Sequence, residues 1–169
     1  MHGRHEHPLW WNRGMSNDGD DTARTHAVSE RIGPGSVSVA RTGDRTFEGL
    51  NERGATIRIG HAEAEGHFTP GELLKLALAA CAGMSADRVI ARRLGEDVSY
   101  TVWAHGTSEP DNRYDRVVEE LLLPLGELDA DERAKLERLI DASIERSCTV
   151  ARSVEQDIDL EREIVDLDA

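Results

Sequence analysis

Between Thr69-Pro70 and Gly95 the chain carries a stretch that can fold in few ways. Leu73 to Ala82 reads LLKLALAACA, and Lys75 is its one charge. Thr69 suits a helix N-cap, Pro70 the first helical position and Glu72 the positive end of the helix. Apolar positions continue through Met84, Val89 and Ile90 to Arg92, Arg93 and Leu94, and Gly95 is a stop signal. The predicted helix has roughly 25 residues, about 37 Å of axial length. A helix apolar around most of its circumference has to be buried on most sides. In a chain of 169 residues it is the central pillar of one domain, and a chain of this size gives it thin cover, which favours a second copy.

Around this pillar the apolar period is that of short strands. Val37 and Val39 alternate with Ser36, Ser38 and Ala40, and Thr42-Gly43-Asp44 marks a turn. Arg45 to Leu50 and Ala55 to Ile59 complete a three-strand antiparallel meander with a turn at Asn51 to Gly54. After the helix, Tyr100 to His105 and Val117 to Leu125 read as two strands, with Glu119 and Glu120 blurring the second; Glu109 to Asn112 reads as the turn between them. Asp129 with Glu132 forms a capping-box pattern ahead of a helix over about 130–150, whose stripe is Leu136, Leu139, Ile140, Ser143, Ile144 and Ser147. Gln156 to Leu160 alternates as a closing strand. The order βββ-α-ββ-α-β predicts an α+β fold.

Residues 1–33 lack a sustained apolar period and are rich in polar residues, Gly and Arg, so they read as a disordered leader before a single domain over 34–169. No apolar stretch marks a signal peptide. His2, His5 and His7 form a histidine cluster that invites a metal, but a flexible segment supplies no fixed ligand geometry. Trp10 and Trp11 are potential docking residues, and Met15 is an alternative start.

The formal charge of −13 is unevenly spread. Residues 1–95 are balanced, and the whole excess falls after residue 95. Such a chain repels phosphate backbones and anionic lipid surfaces, which argues against nucleic-acid and membrane partners. No apolar run approaches the roughly 18 residues that suggest a membrane span. The acidic excess itself reads as a solvated surface.

The chain has 2 cysteines. Cys81 lies in the apolar helix and Cys148 near the end of the second one. Neither belongs to a CxxC pair, so zinc and thioredoxin-type spacings are missing. Two readings stand. Both cysteines are small core residues, as free cysteine often is. Alternatively they form a two-thiol peroxidase, in which one thiolate becomes a sulfenic acid and the other condenses with it to a disulfide.

The stretch FTPGELLKLALAACAGMSADRVIARRLG, Phe68 to Gly95, resembles the signature helix of the OsmC/Ohr family, the osmotically induced protein C and organic hydroperoxide resistance proteins. ERSCTVARSVEQDIDL, Glu145 to Leu160, resembles that family's second-cysteine segment and closing strand. The resemblance covers about residues 36–165. It implies an intertwined cytoplasmic homodimer with two antiparallel sheets against long central helices. It implies that Cys81 is the peroxidatic cysteine and Cys148 the resolving one. The implied substrates are organic hydroperoxides, the implied reductant is a dithiol of the lipoyl type, and no metal, haem or flavin is implied.

The family's activating arginine lies in a turn of the meander. TGDRTFEGLNERG, Thr42 to Gly54, fits that turn without a gap, so Arg45 matches; Arg58 and then Arg53 are alternatives. A guanidinium near Cys81 favours the thiolate and orients the peroxide. Peroxidase branches of the family place a glutamate directly after the helix-start proline, where it holds the arginine. This chain has Gly71 there, and the acid follows at Glu72. One helical residue is a rotation of about 100°. Glu72 therefore either substitutes for that acid or only complements the helix end. A second departure is Thr149 where proline is frequent. Ser85 shares a helical face with Cys81 but more often such a serine bonds a backbone carbonyl. Asp87 and Arg88 read as ordinary polar contacts, and His61, His67 and His105 lack catalytic partners. The competing function is a non-catalytic dimeric binding or structural protein of the same fold.

Overall fold

The structure is a computed structural model that describes residues 26–106 and 113–168. The leader up to residue 25, with its histidines and tryptophans, and the predicted turn at Glu109 to Asn112 lie outside the described residues. The chain divides into two compact units, one ending at His67 and the other beginning at Phe68.

The first unit is an antiparallel sheet of β1 (Val37–Gly43), β2 (Thr46–Asn51) and β3 (Thr56–Ile59), in that order. Register pairs Val39 with Gly49, and Glu48 with Arg58. Arg45 closes the first hairpin with φ of 50°, a left-handed conformation that side chains adopt rarely. The Asn51 side chain closes the second by accepting the backbone N–H groups of Arg53 and Ala55. Contacts to this sheet reach back to His26. His26 is buried, its Nδ1 lies 2.8 Å from Ser38 Oγ, and its Nε2 lies 3.6 Å from Glu48.

The second unit holds α1 (Pro70–Leu94), β4 (Thr101–His105), β5 (Arg116–Leu123), α2 (Ala130–Ser147), α3 (Thr149–Val154) and β6 (Asp159–Asp166). Both long helices start with complete capping boxes, Thr69 with Glu72 and Asp129 with Glu132. Each box satisfies two backbone N–H groups that would otherwise be orphaned. α1 packs on α2, α3, β4 and β5. The core joins Leu78, Ala82 and Ile90 of α1 to Val117, Leu121 and Leu123 of β5 and to Leu136, Ile140 and Ile144 of α2. Each large side chain so buried contributes roughly 1.5–3 kcal/mol.

Four expectations are corrected. The second helix does not run through Cys148. Its last residue is Ser147, and Cys148 takes an extended conformation between α2 and α3. Leu139 and Ser147 are exposed, so the buried stripe narrows to Leu136, Ile140, Ser143 and Ile144. The closing strand begins at Asp159, because Glu155–Asp157 turn back onto Val154 and Ala151. The second sheet is mixed. β4 pairs antiparallel with β5, but β6 pairs parallel. Parallel pairing needs a crossover, which α2 and α3 supply.

α1 is buried along one face only. Leu78, Ala79, Ala82, Gly83, Ala86 and Ile90 face inward, while Leu76 is 46% and Met84 81% exposed.

Candidate functional site

Cys81 sits midway along α1, half-buried at the edge of the core. Cys148 is fully buried at the α2–α3 junction. The junction fixes it from both sides. Its N–H donates to Ile144 O at 2.8 Å, closing α2. Its Sγ accepts the Ala151 N–H at 3.4 Å, opening α3. The helix breaks here without glycine or proline because the thiol serves as the cap of the next turn.

The two predicted thiols meet. Both are free, and Cys81 lies close enough to Cys148 to act on its thiol. Burial pushes the Cys148 thiol up to about 11, and Cys81 adds to the rise. The Ala151 N–H works the other way, and the charges of Cys81 and Glu119 raise it slightly further. Cys148 thus keeps its proton at neutral pH. Two neighbouring free thiols can be joined as a disulfide once one of them is oxidised, and a thiolate is the species that attacks electrophiles.

Glu72 is occupied at the helix start. Its carboxylate accepts the Thr69 N–H at 2.7 Å while its own N–H donates to Thr69 Oγ1 at 3.2 Å. The Thr69 bonds, with a smaller contribution from Lys75, hold its carboxyl below the usual range. Gly71 has a steric reason to be glycine. A Cβ there would collide with the Tyr114 hydroxyl. Lys75 Nζ donates to Gly106 O at 3.0 Å and lies 5.3 Å from the centre of the Tyr114 ring. Tyr114 was not a predicted site residue. Nothing near position 114 signals this contact, since it pairs residues far apart in the chain.

Arg45, Arg53 and Arg58 all belong to the first unit. Arg45 is close enough to Glu63 to lower its carboxyl slightly. Arg53 is an exposed turn residue paired with Glu52 at 3.3 Å. Arg58 is exposed on β3. Ser85 enters through its backbone: its carbonyl accepts Ser143 Oγ at 2.7 Å, which ties α2 to α1. Asp87 accepts from Tyr100 Oη at 3.1 Å. His61 pairs with Glu63 and His105 with Glu120, both on exposed surface.

A second residue missed by sequence reasoning is Glu119. It is fully buried beneath the sheet and paired with Arg162 at 3.1 Å. Burial raises its carboxyl and the Arg162 guanidinium opposes the rise. The signal was present: Glu119 shares the strand face of Val117, Leu121 and Leu123.

Among the described residues no cluster of His, Cys, Asp and Glu is arranged to hold a metal ion, and no helix is long and apolar enough to cross a membrane.

The family model described as OsmC-like protein matches residues 60–163. An uncharacterized protein of Mycobacterium tuberculosis is 42% identical over 132 residues, covering 78% of this chain and 96% of its own. The fold is similar to the crystal structure of the organic hydroperoxide resistance protein OhrB of Bacillus subtilis. That match has a TM-score of 0.54 at 19% identity and covers 76% of this chain and 96% of the other. It is also similar to an OsmC-like protein of unknown function from Vibrio cholerae, with a TM-score of 0.58 at 18% identity, covering 77% and 97%.

Proposed function

The chain belongs to the OsmC-like family, and on that premise we propose that it is a cysteine-based thiol peroxidase acting on organic hydroperoxides. The observation that carries this reading is the pair of free, neighbouring thiols, Cys81 half-buried on α1 and Cys148 buried at the α2–α3 junction. The Cys81 thiolate attacks the terminal peroxide oxygen. An S–O bond forms, the O–O bond breaks, and the departing alkoxide takes a proton to leave as an alcohol. Cys148 then attacks the Cys81 sulfenic acid. The S–S bond forms, the S–O bond breaks, and hydroxide leaves with the Cys148 proton as water. A dithiol of the lipoyl type returns both thiols and is itself oxidised to a disulfide.

The activating guanidinium in this proposal is Arg45, with Arg58 and Arg53 as alternatives, an assignment that rests on the resemblance of the turn sequence. Glu72 serves the helix end, as its bonds to Thr69 indicate. The protein works as a cytoplasmic homodimer, and the exposed Leu76 and Met84 on α1 support a second copy covering that face.

A non-catalytic binding or structural role is favoured by one observation. The position of the family glutamate is Gly71, and the Tyr114 hydroxyl occupies the space a side chain would need. A thiol count before and after an alkyl hydroperoxide separates the two readings. Loss of both thiols, abolished in Cys81→Ser, is expected of the peroxidase; unchanged thiols in native protein favour the alternative.

A further inference from the structure

The sheet of β4, β5 and β6 has two unlike faces. Val117, Glu119, Leu121 and Leu123 turn inward, and the alternate residues of β5 turn out. On that outer face the register sets Trp103, Glu120 and Glu163 side by side across the three strands. Neighbouring strands lie about 4.8 Å apart, so the ring and both carboxylates fall within roughly 10 Å of sheet. Trp103 is 55% exposed. His105 holds this end of the row. Its ring stacks beside Trp103 with 6.2 Å between centres, and its Nε2 lies 3.1 Å from Glu120 Oε2. Val118, Leu122 and Val165 share the face and are half-buried.

Sheet stability does not account for the row. Opposite charges at facing strand positions stabilise a sheet and like charges oppose it, yet Glu120 faces Glu163. Among the described residues the Glu163 side chain has no ion-pair or hydrogen-bond partner. Arg116 is the one arginine or lysine at the outward positions of the three strands, and Glu161 takes it. A large ring left in solvent beside two facing carboxylates is the complement of one kind of group. The ring face attracts a cation, and carboxylates accept its N–H groups in short, charge-assisted bonds. Tryptophan is also among the residues that carry most of the binding energy at protein interfaces. Charge speaks against a second copy here. The whole excess of −13 falls after residue 95, so a second copy of this sheet would bring more carboxylates to the face.

We propose that the outer face of the second sheet docks a basic segment of a partner protein, whose arginine or lysine lies over Trp103 and donates to Glu120 and Glu163. Val118, Leu122 and Val165 supply the apolar surround that such a contact needs. The inference goes beyond the peroxidase reading and does not rest on it, since neither thiol belongs to this face.

The test uses the full-length protein and a fluorescein-labelled peptide of alternating arginine and glycine, read by anisotropy at physiological salt. Wild type is expected to bind it, and Glu120→Gln/Glu163→Gln to weaken binding about tenfold or more. Trp103→Ala should weaken it similarly. Trp103→Phe keeps a ring and should retain most of the affinity, which separates loss of the cation's platform from damage to the sheet. Glu127→Gln/Glu145→Gln removes the same two charges from exposed positions elsewhere and should change the affinity by no more than about twofold, because salt screens distant charges. Equal weakening by the two glutamate pairs, full binding by Trp103→Ala, or no binding by folded wild type overturns the proposal. Sedimentation without the peptide examines the other occupant: self-association of wild type that is lost in Trp103→Ala assigns the face to a second copy and overturns it as well.

Discussion

Cys148, at the α2–α3 junction, neighbours Cys81 in the middle of α1. The fold places one sulfur at the edge of the core and buries the other. In the proposed cycle that difference assigns the more accessible Cys81 to the peroxide and the buried Cys148 to the resolving step.

Cys148→Ser should leave the first oxidation intact and remove its resolution. A sulfenic acid on Cys81 should accumulate after one addition of alkyl hydroperoxide, detectable as a diketone adduct by mass spectrometry. Rapid over-oxidation or dead-end mixed disulfides should follow, and multiple turnover with a dithiol should stop.

Gly71→Ala should destabilise the protein by about 1–3 kcal/mol, the usual cost of forcing atoms into filled space. The new methyl group meets the Tyr114 hydroxyl. Tyr114→Phe removes that oxygen, so the double variant should recover part of the loss. A double-mutant cycle by urea denaturation measures the coupling; additive effects would separate the two residues.

Alkaline pH should weaken the fold through Cys148. Its thiol is pushed from an ordinary 9.0 up to about 11, so the folded state holds this proton more tightly than the unfolded chain. The stabilising contribution is fully present below the unfolded value and is lost as pH rises through the folded one. Stability measured by urea titration should therefore fall between about pH 9 and 11, and less steeply in Cys148→Ala than in wild type.

Arg162→Ala should cost about 3–5 kcal/mol, because it leaves Glu119 buried without its partner. Exchanging both for leucine should cost far less. Thermal melting of the two variants distinguishes this pair from an exposed ion pair such as Arg53 with Glu52, whose loss should leave the melting temperature nearly unchanged.

α1 was legible in the sequence from Thr69 to Gly95 because its cap, its apolar run and its stop are all local signals. The same holds for Asp129 with Glu132 at the start of α2. The end of α2 was not, since a cysteine ends it and caps α3 in place of the usual glycine or proline. β6 starts later than its alternation suggests, because Gln156 to Ile158 has the pattern of a strand but belongs to a turn closed by Val154 and Ala151. Its parallel pairing depends on how α2 and α3 carry the chain back, which no local period encodes. The cysteines stood out by their scarcity. Glu119 and Tyr114 did not, because each acquires its meaning from a distant residue, Arg162 for one and Gly71 for the other.

In the proposed cycle Cys81 and Cys148 form one redox pair. Peptide mass mapping after one equivalent of an alkyl hydroperoxide tests it most directly. The predicted result is a Cys81–Cys148 disulfide within a single chain, with both free thiols consumed and none of this product in Cys81→Ser. Two intact thiols in folded protein, or oxidation confined to Cys148, would contradict it.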